Sequence, residues 1–379
     1  MSHAHSDRQS FSDGGNPTVS QRLLSLDLMR GIIMVLLCLE STGMYGYLSQ
    51  AAEGGPFEAL MIQFDHHPWN GLRFWDLIQP GFMFIAGVAL AFSLDKQNKA
   101  GIPWGDSFKK QLKRSGWLFF WGVLDYAVRP HGLSFELWDV LTQLSFTSLV
   151  AFLAFRWEWK AQAALCVGLL LLTEVLYRFT HVPGFDQPFT DQHNFGNYVD
   201  TILMNKINKG GWVAINCIPT AVHTVAGAMI GKLLLSNAPG KIRTLLIAAG
   251  ICLLLGFSLD WAGITPIIKR IATTSFTLAS LGWVILMLAA CYWFVDIKGH
   301  RTGLDFFTTM GTNALFIYLF FEIVGSRWFN GYVRAVTDGL TAPLGLTTIM
   351  QGVIGAAVIF ALEWGMCRFL YRKRIFFRV

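Results

Sequence analysis

Residues 65–80 read DHHPWNGLRFWDLIQP and continue without a break into GFMFIAGVALAFSL at 81–94. The apolar part, 72–94, has the roughly 20 residues a helix needs to cross the hydrocarbon core of a bilayer. In lipid every backbone polar group must be paired within the segment, so a run of this kind is read as a helix. Its head is unlike its body: two adjacent histidines, a Pro-Trp-Asn-Gly turn, Arg73 and Asp76 crowd one boundary. Ionisable side chains at such a boundary are kept there against a free-energy cost, which makes each a functional candidate.

The rest of the chain repeats the apolar theme. Of its 379 residues 53% are hydrophobic and only 14% charged, against about a quarter charged in an ordinary soluble domain. Further apolar runs occupy 23–48, 115–126, 138–155, 161–179, 212–235, 244–261, 274–295, 306–328 and 344–370. The run at 115–126 is short and is expected to borrow length from the Lys113-Arg114 side, whose long side chains can reach the surface. The expected fold class is therefore all-α, a polytopic integral membrane bundle of about ten transmembrane helices. The polar opening at 1–21 lacks the apolar core of a signal peptide and is expected to be a flexible cytoplasmic tail ahead of a single transmembrane domain at 22–379.

Charge orients the bundle. Most of the 30 Lys and Arg fall in the connections that share a side with both termini. The positive-inside rule then makes both termini cytoplasmic and puts His66 on the outer face of an inner membrane. The net charge of +6 is thus topology, and no nucleic-acid partner is implied. The six cysteines stand singly in apolar runs, with no spacing that suggests a disulfide framework or a zinc site, and are expected to be small buried hydrophobes; no metal is expected. The longest outer connection, near 181–211, is expected to fold over an outer site.

Several residues could carry chemistry. Histidine suits proton transfer near neutral pH, and either His66 or His67 can be the working member while the other is structural. Asp76 can orient the histidine or pair with Arg73. Asp27 and Arg30, three apart on one helix face, form an ion pair or flank an anionic ligand. Glu40, His223, Glu322 and Glu363 are single polar residues in apolar runs and each needs a partner. Pro219 is expected to distort the helix that carries His223. Asn313 and Tyr318 can donate into a central cavity or join helices. Phosphate-cradling loops, a GxSxG elbow and HExxH are all absent from the sequence. A transporter using Asp27, Arg30 and His223 as its path fits the same pattern.

Six segments in order resemble one family: RLLSLDLMRG at 22–31, HHPWNGLRFWDLIQPGFMFIAGVAL at 66–90, NYVD at 197–200, PIIKRIATTSF at 266–276, GTNALFIY at 311–318 and LYRKRIFFRV at 370–379. They resemble the transmembrane N-acetyltransferase family typified by heparan-alpha-glucosaminide N-acetyltransferase. The resemblance implies an acetyltransferase domain that takes acetyl from cytoplasmic acetyl-CoA and delivers it to an amino sugar or glycan amine across the bilayer. It implies His66, three residues before Trp69, as the catalytic histidine, acting as general base or acetyl carrier. With it go Asp76 as its support and Asn70 or Asn313 as a donor to the developing oxyanion. Arg30, Asp27, Lys232, Lys298 and His223 are then the expected contacts of acetyl-CoA, and Trp69, Asn313, Tyr318 and Glu40 those of the acceptor. A homodimer is compatible with this reading. The chain departs from the family at Glu40-Ser41, where many members carry Asn, and at Ala272, where they carry Trp. An O-acetyltransferase of surface polysaccharide is the nearest alternative chemistry.

Overall fold

A computed structural model describes residues 23–129 and 132–377. The expected tail at 1–21, with Arg22 and the last two residues, lies outside the described residues. Within them the chain is helical, and its one pair of bridged strand-like residues is Asn70 with Ile268. Helix α1 (Leu24–Ser41) stops at a left-handed Gly43 and restarts as α2 (Met44–Ala52). The expected run at 23–48 is thus two helices. The freed carbonyls of Ser41 and Thr42 are met by Asn330 and Arg334, at 3.0 and 2.6 Å, as buried helix ends require. After a single-turn α3 (Glu58–Met61) the chain enters the histidine stretch, a tight turn over Phe74–Leu77, and α4 (Ile78–Lys99). Pro80 falls in the first turn of α4, where its missing N–H breaks no helical bond.

Next come α5 (Trp104–Ala127), α6 (Val140–Ala154), α7 (Trp159–Phe179) and α8 (Phe195–Met204). Helix α5 begins eleven residues before the expected run and includes Lys113 and Arg114. Then follow α9 (Cys217–Leu235), α10 (Lys241–Trp261) and α11 (Thr274–Tyr292). Pro219 lies in the first turn of α9 and does not distort it, for the same reason as Pro80. The expected run at 306–328 is broken at Asn313 into α12 (Leu304–Thr312) and α13 (Ala314–Leu319). It continues through a wide-turned segment into α14 (Asn330–Thr341), and the two parts are bent by 72°. Helix α15 (Thr348–Arg372) ends the bundle.

Six helices of the described residues are long and apolar enough to cross a membrane, or seven if the bent pair is one span. The remaining expected runs are α1, which carries Asp27, Arg30 and Glu40; α5, whose first half is strongly charged; and α6, only 15 residues long. The protein is a helical membrane protein. Its α7 and α10 present rows of exposed Leu, Ile and Val (Leu171, Val175, Ile251, Leu254 among them), the surface that lipid covers.

Where helices have no water to expel between them, close packing of small residues holds them together. Helices α4 and α9 meet at Gly87 and Gly227. A Cβ on Gly87 would lie 2.0 Å from the Thr224 carbonyl oxygen, and one on Gly227 2.2 Å from that of Phe84. Helices α1 and α12 touch in the same way through Gly31, where a Cβ would lie 2.2 Å from the Phe307 carbonyl oxygen. Two ends of the bundle result. At one, the connections before α4, after α5, after α7, after α8 and after α10 interlock. Trp69 donates to the Phe189 carbonyl at 2.7 Å, Lys206 reaches Glu136 at 2.8 Å, and Arg178 reaches Thr265 at 3.1 Å. At the other, Lys232 donates to the Trp157 carbonyl at 3.2 Å and Arg156 lies over Trp104.

Replacing Gly87 by Val forces the α4–α9 backbones apart, and overpacking of this kind costs about 3 kcal/mol or more. The detergent-purified variant is expected to melt at clearly lower temperature than the wild type. Gly105→Val, where a side chain meets nothing within 4 Å, is the control; equal melting temperatures for the two would refute the crossing.

Candidate active site

The histidine stretch is shaped by its own turn. Gly71 sits at φ 143°, and a Cβ there would lie 2.5 Å from Nε2 of His67. The His67 ring therefore fills the hollow above Gly71. The His66 ring lies instead against Asp76, and its side chain remains 40% exposed. The turn is anchored across the fold: Gly71 donates its N–H to the Ile267 carbonyl at 2.8 Å, and Asn70 bridges Ile268.

Asp76, buried at the head of α4 with its side chain 1% exposed, gathers the stretch. Its Oδ2 accepts the backbone N–H groups of Arg73 (2.9 Å) and His67 (3.3 Å), and its Oδ1 lies 3.1 Å from Nδ1 of His66. Arg73 reaches past it and donates to the His66 carbonyl at 3.0 Å. A carboxylate that caps a helix and holds Nδ1 leaves Nε2 as the ring nitrogen free to meet another partner.

A third group completes the cluster. Lys269, from the connection between α10 and α11, places Nζ 3.0 Å from the same His66 Nδ1 and 3.5 Å from Asp76 Oδ1. Its side chain is buried, and the ammonium lies 5.3 Å from the centre of the Trp212 ring. Burial pushes the Lys269 amine down to about 8, against the opposing pull of Asp76. Partial burial also lowers the His66 imidazole from the usual histidine value; the Asp76 hydrogen bond opposes the shift and the Lys269 charge adds to it. Trp212 stands edge-on to His66, ring centres 5.8 Å apart. Near neutral pH this makes a neutral, oriented imidazole beside an aromatic wall.

Asp200 of the NYVD segment supports the same end. It accepts from the Trp138 indole at 2.8 Å and from the Ala214 N–H at 2.9 Å. Burial raises its carboxyl to about 7.

The opposite end of α4 holds two adjoining cavities that share Leu94 and Ser107. One, of about 550 Å³, is lined by Lys110, Lys113, Arg114, Gln111, Trp117 and Phe377. The other, of about 460 Å³, is lined by Arg156, Lys232, Asp95 and Trp104. Both volumes suit a cosubstrate-sized ligand, and the clustered cations suit phosphate groups.

The remaining sequence candidates are scattered. Glu40, at the end of α1, is close enough to Lys269 to act on its charge. Asn70 stays exposed on the turn itself. Trp69 is engaged with Phe189 and packs on Gly211, so it pins the long connection. Tyr318 donates to Asp139 at 2.8 Å. The structure does not bring Asn313 to the histidine. Its amide donates to the Ile375 carbonyl at 3.3 Å and accepts from the Phe377 N–H at 3.1 Å, which holds the C-terminal segment against the basic cavity. His223 is fully buried between α9 and α11, 2.9 Å from the Ser280 hydroxyl, and lines neither cavity. Of the expected donor contacts, Lys232 lines a cavity, Asp27 and Arg30 pair with each other at 3.4 Å, and Lys298 lies over Trp293 away from both. Sequence reasoning missed Lys269, Trp212 and the Lys110–Lys113–Arg114 group. The signal for Lys269 was present: a lysine set among Ile267, Ile268 and Ile271 is a cation in an apolar loop.

No protein-family model matches the chain. It is 24% identical over 430 aligned residues to the heparan-alpha-glucosaminide N-acetyltransferase of Homo sapiens, covering 94% of this chain and 60% of that protein. To the Mus musculus protein of the same name it is 22% identical over 429, covering 95% and 61%. The chain spans about three-fifths of the length of these curated relatives. With the similarity running through nearly the whole chain, the protein is a distant relative of heparan-alpha-glucosaminide N-acetyltransferase.

Proposed function

We propose that the chain is a membrane-embedded acetyltransferase that moves acetyl from acetyl-CoA to the amine of an amino sugar or glycan. The observation that carries this reading is the His66 geometry: Nδ1 against a buried carboxylate, 3.1 Å away, and a ring left 40% exposed. That is the arrangement of an oriented general base. An acceptor arrives as an ammonium, which has no lone pair, and a neutral imidazole is needed to take its proton. Base catalysis of this kind contributes about 10²–10⁴-fold. Asn70, exposed on the same turn, is the side-chain donor we assign to the developing oxyanion, and Trp212 and Glu40 flank the acceptor.

The donor enters from the other end. Lys110, Lys113 and Arg114, with Arg156 and Lys232 next door, fit the phosphates of CoA, and the thioester is what the donor supplies when bound. Between the two ends, buried Gln143 and Thr147 stand one turn apart on α6 facing α4, with Gln79 and Met83 as their partners. These buried polar side chains are the ones we assign to the amide-bearing arm of the donor. In the full topology we infer, about ten spans place both termini and the basic cavities in the cytoplasm, and His66 on the outer face of an inner membrane.

Three outcomes test the reading. His66→Ala is expected to abolish transfer of labelled acetyl from acetyl-CoA to glucosamine, while His67→Ala, which only empties the hollow above Gly71, keeps most of it; equal activities would sink the assignment. Transfer to sugars bearing only hydroxyls would instead favour O-acetylation. CoA and acetyl-CoA should raise the melting temperature of the purified protein, and Lys113→Ala with Arg114→Ala should remove most of that rise. Absence of any rise in the wild type points to the transporter. Finally, His66 gains its proton below the usual 6.5, so the imidazole is uncharged at neutral pH. Asp76→Asn removes the charge that favours the imidazolium, and should shift the NMR titration of His66 to still lower pH and cut turnover about 10²–10⁴-fold. An upward shift contradicts the pairing.

A further inference from the structure

We propose that Lys269 is a positioning residue that decides which nitrogen of His66 carries the proton, and so whether the ring can react. The inference rests on the acetyltransferase reading only for its consequence, not for its geometry. Two groups compete for one atom: Asp76 Oδ1, an acceptor, lies 3.1 Å from Nδ1, and Lys269 Nζ, a donor, lies 3.0 Å from it. A neutral imidazole satisfies one or the other. If Nδ1 donates to Asp76, the lone pair is on Nε2, which either base or acetyl-carrier chemistry requires. If Lys269 donates to Nδ1, the proton sits on Nε2 and the ring is idle.

The lysine cannot simply withdraw. Its loop is fixed by the Ile267 N–H on Asp260 (2.8 Å), the Ile268 N–H on the Thr273 hydroxyl (3.0 Å), and the Ala272 N–H on the Lys269 carbonyl (2.9 Å). The Trp212 ring closes over it. The charged groups that act on Lys269 are Asp76 from the head of α4, Glu40 from the end of α1 and Arg270 from its own loop. Asp65 acts on Glu40, and Arg270 also acts on His66. Lys269 loses its proton at about 8, and the ring is then released to Asp76. An acceptor ammonium beside Lys269 works in the same direction, because a second positive charge nearby disfavours the first. The arriving substrate thus turns the ring to its reactive tautomer.

The test reads the tautomer directly, by ¹⁵N NMR of the full-length protein labelled at histidine, with His66 assigned by its loss in His66→Gln. In the wild type the Nε2–H form should dominate at pH 7 and give way to Nδ1–H as pH passes about 8. Lys269→Met should hold Nδ1–H throughout, lose the step in the pH–rate profile, and turn over up to roughly tenfold faster at pH 7. Lys269→Arg, which keeps its charge at all accessible pH, should lock Nε2–H and remain slow to pH 9. It serves if the Met variant does not fold. Identical tautomers in the wild type and Lys269→Met, or a switch that persists in Lys269→Arg, would overturn the proposal. A tautomer that follows Lys269 in a protein showing no acetyl transfer would instead defeat the transferase reading alone.

Discussion

A single buried carboxylate organises the histidine-bearing end of this protein. Asp76 is out of contact with water, and an isolated charge there would cost several kcal/mol. It is paid for by two backbone N–H groups, one imidazole and one ammonium, together with the positive end of the helix it heads. Those partners come from residues 66–73 and from the loop that carries Lys269. The two segments are therefore folded against each other by the need to satisfy one side chain. The bridge between Asn70 and Ile268 is the backbone expression of the same constraint.

From that head α4 runs as the shaft of the molecule. It packs on α9 through glycines that let the backbones nearly touch, so the shaft is stiff where a lipid-facing helix would be free. Leu90, the nearest wall of the larger cavity, lies fourteen residues beyond Asp76, roughly 20 Å along a helix axis. Along that length α4 carries Gln79 and Met83 against the buried Gln143 and Thr147 of α6, so polar side chains are packed into the interior between the two ends.

Much of this was legible in the sequence because it is local. Apolar runs of bilayer length became helices, and the head of one run held both His66 and the carboxylate that contacts it. Breaks inside runs were not legible. A left-handed Gly43 and the capping of the freed carbonyls by Asn330 and Arg334 depend on partners nearly 300 positions away. For the same reason Asn313 was read as a cavity donor, although its amide is occupied by the C-terminal segment. Lys269 is 203 residues from His66, and no spacing rule joins the two. The Lys113–Arg114 pair was read only as a snorkelling boundary, because the cavity it faces is closed by Phe377 from the far end of the chain.

Ala272 is buried at φ 49°, in the left-handed region that costs an L-residue about 1–2 kcal/mol. Glycine would relieve that cost, yet would also free the turn whose N–H closes on the Lys269 carbonyl. The loop is thus held under steric tension, and the tension has a direction: it narrows the range of positions open to the ammonium three residues earlier. Stability and precision pull against each other at this alanine, and the fold has taken precision.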